Sequence, residues 1–101
     1  AALRGQMAMV VARGVGAPAV TAECAAAFLA TAGLLIVSEP PEATAGRWPS
    51  DGLAMLGMGA AETVERGGFH FVRIRQERPA PERFPRRTGQ PAKRPLFGRS
   101  T

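Results

Sequence analysis

The sequence contains one cysteine, one histidine and no tyrosine. A single cysteine excludes an intrachain disulfide, and no residues around Cys24 have the spacing of metal ligands, so we expect neither a disulfide scaffold nor a metal site. This cysteine content favours a reducing, cytoplasmic setting. No apolar run is long enough to cross a membrane, and the first residues do not have the pattern of a signal peptide. We therefore expect no membrane partner.

Aromatic residues are also scarce, at 6%, although the apolar content is 46%. Alanine, glycine and valine make up most of the apolar residues, and such small side chains suit helices that pack closely on a sheet. With 101 residues, the chain is limited to one small domain or to part of a larger one.

The charge is distributed unevenly along the chain. Nine of the thirteen Lys and Arg residues lie from Arg73 onward with only two acids, so this stretch carries +7 and the rest carries −2. Five prolines from Pro79 to Pro95 exclude a helix or a central strand there. We therefore predict a body over residues 1–78 and an extended, basic, proline-rich tail over residues 79–101. This asymmetry indicates a polyanionic partner, usually a nucleic acid.

Apolar runs predict a strand–helix–strand unit in the first 40 residues. Residues 7–12 and 34–38 are short and apolar, as in buried parallel strands. Between them, residues 19–32 predict a helix that ends before Gly33. Val20, Cys24, Ala27 and Phe28 recur at helical spacing and are expected to face the core. Together they form a βαβ unit.

The middle of the chain predicts a short helix and a hairpin. Residues 48–56 favour a helix, with Pro49 in its first turn. Residues 61–65 and 69–76 are two strands joined by Arg66-Gly67-Gly68, a sequence typical of a tight β-turn. The apolar residues of the second strand do not alternate perfectly, so its register stays open.

Three segments together resemble a known family. The first two are Val-Val-Ala-Arg at residues 10–13 and Gly-Leu-Leu-Ile-Val-Ser at residues 33–38. The third, at residues 82–96, is the specific one: Glu-Arg-Phe-Pro-Arg-Arg-Thr-Gly-Gln-Pro-Ala-Lys-Arg-Pro-Leu. It resembles the closing segment of the small-subunit ribosomal RNA methyltransferase G family, the glucose-inhibited division protein B type.

The resemblance implies a function and a fold. That family methylates N7 of a guanine in 16S ribosomal RNA with S-adenosylmethionine, on a Rossmann-like sheet. This chain is similar to its second half only, so the expected fold is α/β: the C-terminal half of a class I methyltransferase sheet. The glycine-rich cofactor loop of such enzymes is missing, because Gly14-Val15-Gly16 follows the wrong strand and lacks the third glycine. We therefore expect these residues alone to be inactive.

The resemblance also implies site residues at strand ends. Ligands of open α/β sheets bind beyond the carboxyl ends of the strands. Arg13, at the end of the first strand, matches a family arginine close to cofactor and target base, and is the candidate catalytic and cofactor-contacting residue. Ser38 and Glu39, which end the second strand, are candidates for contact with the RNA. Glu39 precedes two prolines, so shaping the loop is the alternative role.

The basic tail is the expected contact with 16S ribosomal RNA or the small ribosomal subunit. Phosphate contacts there would make binding fall with salt. Phe84 either stacks on a base or, as we favour, packs on the body. The alternative for the whole tail is a solvated end without a partner. The RNA-binding candidates are Arg83, Arg86, Arg87, Lys93 and Arg94.

Two other readings of the chain stay open. It is alternatively a non-catalytic basic module that binds ribosomal RNA, or a truncated gene product. The region encoded upstream would separate these readings from the methyltransferase, because a glycine-rich strand–loop–helix there favours the enzyme. The oligomeric state is not predicted.

Overall fold

The structure, a computed structural model, describes residues 4–13, 17–39, 47–86 and 96–97. Within these ranges the elements follow the order β1 (Met7–Arg13), α1 (Pro18–Phe28), β2 (Leu29–Glu39), α2 (Ser50–Met55), β3 (Glu62–Arg66) and β4 (Phe69–Arg75). The strands form one sheet in the order β1-β2-β4-β3. β1 and β2 are parallel, and the other two pairings are antiparallel. The predicted α/β class is confirmed.

Helix α1 ends four residues earlier than predicted. The prediction that it reaches residue 32 is wrong, because Leu29 already pairs with Met7 on β1. The pairing is then interrupted by a bulge and resumes with Met9 and Leu34. Gly33 lies in this bulge, where a Cβ atom would be 2.9 Å from the carbonyl oxygen of Met7. The glycine is therefore required for close approach of two strands and does not end the helix.

The buried face of α1 also differs from the prediction. Cys24 and Phe28 are exposed, whereas the spacing of apolar residues predicted that they face the core. Alanines cover the sheet instead, because their small side chains let the helix approach it closely. The buried alanines are Ala19, Ala22, Ala25, Ala26 and Ala27.

The second helix and the hairpin lie close to their predicted positions. α2 spans six residues and is shorter than predicted at both ends. The hairpin is confirmed, with a two-residue turn at Gly67 and Gly68. Their φ angles are +55° and +85°. Two positive φ angles are typical of a type I′ turn, whose twist matches that of the paired strands.

The two faces of the sheet differ in what covers them. One face, here called the covered face, packs against α1 and α2 in a single core that includes Leu53 and Leu56. Its strand residues are Val10, Leu35, Val37, Val72 and Ile74. The opposite face, the open face, has no described helix packed on it. It consists of Met9, Val11, Arg13, Leu34, Ile36, Ser38, Glu62, Val64, Arg66, Phe69, Phe71, Arg73 and Arg75.

The chain after β4 crosses the helical layer. Phe84 is buried in the core, and Phe97 also contributes to it. The Arg4 guanidinium donates hydrogen bonds to the carbonyl oxygens of Ala80, Pro81 and Phe84. These contacts fix the start of the predicted tail against the body. No helix in the described ranges is long and apolar enough to cross a membrane.

Candidate functional site

The carboxyl ends of three strands meet at one edge of the sheet, here called the carboxyl edge. β1 and β2 are parallel and end at Arg13 and Glu39. β3 is antiparallel to β4, which is itself antiparallel to β2, so β3 runs in the direction of β2 and ends at Arg66. The hairpin turn therefore lies at the same edge, which is where ligands of open α/β sheets bind.

Arg13 and Ser38 are brought together at this edge. They are direct register partners on neighbouring strands and both are exposed. Side chains of register partners lie on the same side of a sheet, so both belong to the open face. The structure thus places side by side two of the residues that the sequence selected.

Glu39 lies on the other side of the sheet and its carboxylate is occupied. Trp48 donates its indole N–H to Glu39 Oε1 at 2.7 Å, and the Arg47 guanidinium pairs with Oε2. The Glu39 side chain is only 5% exposed. The carboxylate joins the end of β2 to the chain before α2, which favours the loop-shaping alternative. The prediction that Glu39 contacts RNA is not tested by this geometry.

The described residues of the tail lie in the helical layer, away from the open face. Arg86 donates to both carboxylate oxygens of Glu23 on α1, with Arg86 Nη2 at 2.8 Å from Oε1. The Arg86 backbone N–H also donates to Oε2 at 2.8 Å. Arg83 is exposed, with its guanidinium 4.7 Å above the centre of the Phe84 ring. Phe84 packs in the core, as favoured from the sequence.

The Glu23–Arg86 pair shifts the pKa of both groups. Burial raises the pKa of Glu23, but the hydrogen bonds and the charge of Arg86 outweigh that effect, so the pKa lies below its usual value. The same hydrogen bonds raise the pKa of Arg86. Glu23 is therefore a buried carboxylate held ionised by one arginine. Its position in the middle of a helix gave no sequence signal for such a contact.

Arg87, Lys93 and Arg94 lie outside the described residues, and so does Gly14-Val15-Gly16. The five RNA-binding candidates of the tail, together with Ser38 and Glu39, stay predictions. The structure groups Arg13 with Ser38 at the open face and puts Arg83 and Arg86 in the other layer.

Two residues of the carboxyl edge were missed by the sequence analysis. Phe69 and Phe71 lie on the open face with ring centroids 6.4 Å apart. Phe71 is the register partner of Ser38, so the aromatic pair adjoins Arg13 and Ser38. In the sequence, Phe69, Phe71, Arg73 and Arg75 occupy every second position of a strand, so they share one side of it. This pattern could have indicated the aromatic pair, but the side can be assigned to a face of the sheet only once the register is known.

The described acidic side chains near this edge, Glu39 and Glu65, lie on the side of the sheet opposite the open face. His70 Nε2 lies 3.4 Å from Glu65 Oε2, and His70 is the register partner of Glu39. These three residues form a row on the side that faces the helices. The resemblance implies an acid at a strand end that contacts the cofactor, and among the described residues Glu39 is engaged by Arg47 and Trp48 while Glu65 lies beside His70. The described residues alone therefore do not form a complete site for S-adenosylmethionine, and the cofactor contact of Arg13 stays a prediction.

A shallow pocket of about 430 Å³ lies at the opposite end of the open face. It is bordered by two arginines and two glutamates, and Arg73 donates to Glu62 at 3.1 Å across it. The pocket is far from the carboxyl ends of the parallel strands, so it is not the candidate site. No set of three or more His, Cys, Asp or Glu residues in the described ranges is arranged to hold a metal ion.

Comparisons with known proteins agree with the resemblance. No protein-family model matches the chain. Ribosomal RNA small subunit methyltransferase G of Dictyoglomus thermophilum is 31% identical over an alignment of 101 positions, which covers 93% of this chain and 41% of that protein. The chain thus spans less than half the length of the curated relative that it matches. The resemblance stated from the sequence is confirmed: this chain is similar to the C-terminal part of ribosomal RNA small subunit methyltransferase G.

Proposed function

We propose that this chain supplies the RNA-binding side of an S-adenosylmethionine-dependent methyltransferase that modifies guanine N7 in 16S ribosomal RNA. The observation that carries the proposal is the pairing of Arg13 with Ser38 at the carboxyl edge. The similarity to methyltransferase G supports the class of reaction. In this proposal the mixed sheet is the C-terminal half of a Rossmann-like sheet.

The chemistry of guanine N7 agrees with such a site. N7 carries a lone pair and no proton, so its methylation requires no general base. The contribution of the protein is to hold the base in line with the methyl donor and to stabilise charge. Arg13 is proposed to fix the target nucleotide, with the Ser38 hydroxyl as a hydrogen-bonding neighbour. The cofactor is assigned to the remainder of the enzyme, because the described residues here do not form a complete site for it.

The basic tail is proposed to bind the ribosomal RNA backbone. Arg83, Arg87, Lys93 and Arg94 are assigned phosphate contacts, which should release counterions and make affinity fall with salt. Arg86 contributes differently, because its pair with Glu23 anchors the start of the tail on α1.

A chimeric enzyme tests the proposal. The region of the Dictyoglomus thermophilum protein that precedes the matched part would be fused to this chain. Methyl transfer from radiolabelled S-adenosylmethionine to undermethylated small ribosomal subunits would then be measured. We expect N7-methylguanosine with the chimera and none with this chain alone. Arg13→Ala in the chimera should reduce transfer at least tenfold while cofactor binding is retained.

Two outcomes would contradict parts of the proposal. Micromolar binding of S-adenosylmethionine to this chain alone, measured by calorimetry, would overturn the assignment of the cofactor to the remainder. A chimera that folds and binds the cofactor but transfers no methyl group would contradict the reaction. That result, with RNA binding retained, would favour a non-catalytic RNA-binding module.

A further inference from the structure

Phe69 is the most exposed aromatic side chain among the described residues. It is 69% exposed, at the start of β4 beside the hairpin turn. Its ring is tilted by 35° from the ring of Phe71, which is half-buried on the same face. A phenylalanine that is 69% exposed gains little from burial, so the stability of the hairpin does not explain its position. Apolar patches, rather than single residues, mark contact sites, and Phe69 shares the open face with Met9 and Val11, which are 52% and 70% exposed.

Cations flank the aromatic pair on both sides. Arg66 is the register partner of Phe69 on β3, and Arg13 lies beyond Ser38 on β1. Glu65 and Glu39 belong to the opposite side of the sheet, and Glu62 is bonded to Arg73 away from this edge. The carboxyl end of the open face thus presents two aromatic rings between two arginines, with no acid of the strands on that side.

We propose that Phe69 and Phe71 form a stacking platform for unpaired RNA bases, with Arg66 and Arg13 on the flanking phosphates. Sheets that bind single-stranded RNA stack bases on aromatic side chains and contact the backbone with basic residues. The tilt of the two rings suits separate bases of a splayed strand better than one shared base. The proposal rests on the proposed function for the identity of the RNA, and it adds the residues that select unpaired nucleotides.

The flanking charges favour RNA over a protein partner. A protein that covered Phe69 and Phe71 would also cover Arg66 and Arg13, which have no acidic partner on this face among the residues that the structure describes. Burying unpaired guanidinium groups is costly, whereas RNA supplies a phosphate close to each base. Stacking and charge pairing can therefore be satisfied together by one strand of RNA.

The test is a titration of this chain with a fluorescent unpaired oligoribonucleotide and with a duplex of the same length. We expect tighter binding of the unpaired strand. Phe69→Ala should weaken that binding about tenfold without changing its salt dependence, since stacking is not electrostatic. Phe69→Trp should restore it. Arg66→Gln should lower the slope of affinity against salt by about one.

A matched control and three outcomes complete the experiment. Phe28→Ala changes an exposed phenylalanine on α1 and should leave RNA affinity unchanged. Equal affinity of wild type and Phe69→Ala for unpaired RNA would overturn the platform. So would concentration-dependent self-association that Phe69→Ala abolishes and RNA does not compete with. A chimera that methylates ribosomal RNA equally well with Phe69→Ala would also overturn it and leave the proposed function intact.

The reverse combination separates the two proposals. If the chimera transfers no methyl group and this chain still binds unpaired RNA in a Phe69-dependent way, the proposed function fails and the platform stands.

Discussion

The covered face and the open face of the sheet are built from the same strands but have different tasks. On β2, Leu35 is fully buried under the helices, whereas its neighbour Leu34 is half-exposed. On β1, Val11 is 70% exposed on the open face. Parallel strands are normally buried on both faces. One face of this sheet therefore supplies most of the folding free energy, while the other exposes apolar, aromatic and basic side chains.

The largest expected effect is on stability, and it compares two adjacent leucines that lie on opposite faces of the sheet. Leu35→Ala should lower the free energy of unfolding by about 3 kcal/mol, because it removes buried methyl groups and leaves a cavity. Leu34→Ala should cost about 1 kcal/mol or less, since its side chain is already partly in water. Urea denaturation of both variants measures the difference. Equal losses would show that the two faces are equally buried in solution.

The next effect concerns the buried pair that anchors the tail. Arg86→Ala should cost about 2–3 kcal/mol at neutral pH, because it leaves the Glu23 carboxylate buried without its charge partner. The folded-state pKa of Glu23 is lowered from 4.5. The ionised Glu23 carboxylate therefore contributes its full stabilisation at pH values above 4.5, and this stabilisation is lost as the pH falls through the lowered folded-state pKa.

Denaturation curves across this pH range give the check. The gap in stability between wild type and Arg86→Ala should narrow as the pH falls below about 4.5. Arg83→Ala is the control, since Arg83 is an exposed arginine of the same segment whose guanidinium lies over the Phe84 ring. A gap that is independent of pH would contradict the assignment of the pair as the anchor.

A smaller effect on stability is expected at the β3–β4 turn, which lies beside the aromatic pair at the carboxyl edge. Gly68 has a φ of +85° and its Cβ position is open, so Gly68→Ala introduces backbone strain without a clash. We expect a loss of about 1 kcal/mol. Gly5→Ala, at a φ of +68° outside the sheet, is the matched substitution. Unchanged stability of Gly68→Ala would mean that the turn is not type I′ in solution.

The smallest expected effect on stability is at an exposed valine of β1. Val11→Ser on the open face should change stability by less than about 0.5 kcal/mol, as for most exposed positions. Val37→Ser, on the covered face of β2, should cost several times more. Thermal unfolding compares the two. A loss above about 1 kcal/mol for Val11→Ser would indicate that the open face is buried against another molecule.

The sequence predicted the elements more accurately than their faces. Gly67-Gly68 marked the hairpin because a two-residue turn requires positive φ angles, and the run of residues 34–38 marked β2 because its side chains are apolar on both faces. The end of α1 was missed because pairing of Leu29 with Met7 overrides the helix-forming tendency of the alanines. Cys24 was assigned to the core because the alanine stripe gives no contrast between the two sides of the helix.

The candidate site was predicted only in part. Arg13 and Ser38 followed from the rule that ligands bind at the carboxyl ends of strands, and their adjacency depends on the parallel register. The Glu23–Arg86 contact joins residues 63 positions apart, which no local pattern indicates. Phe69 and Phe71 became recognisable only when the register of β4 fixed which side chains share the open face.

We propose that the open face at the carboxyl edge binds unpaired ribosomal RNA. Ultraviolet crosslinking of this chain to small-subunit ribosomal RNA, with the crosslinked peptides identified by mass spectrometry, tests it most directly. We expect crosslinks at Phe69 or Phe71, and we expect them to be lost when the RNA is fully paired. Crosslinks that occur only in the tail, with none on β4, would contradict it.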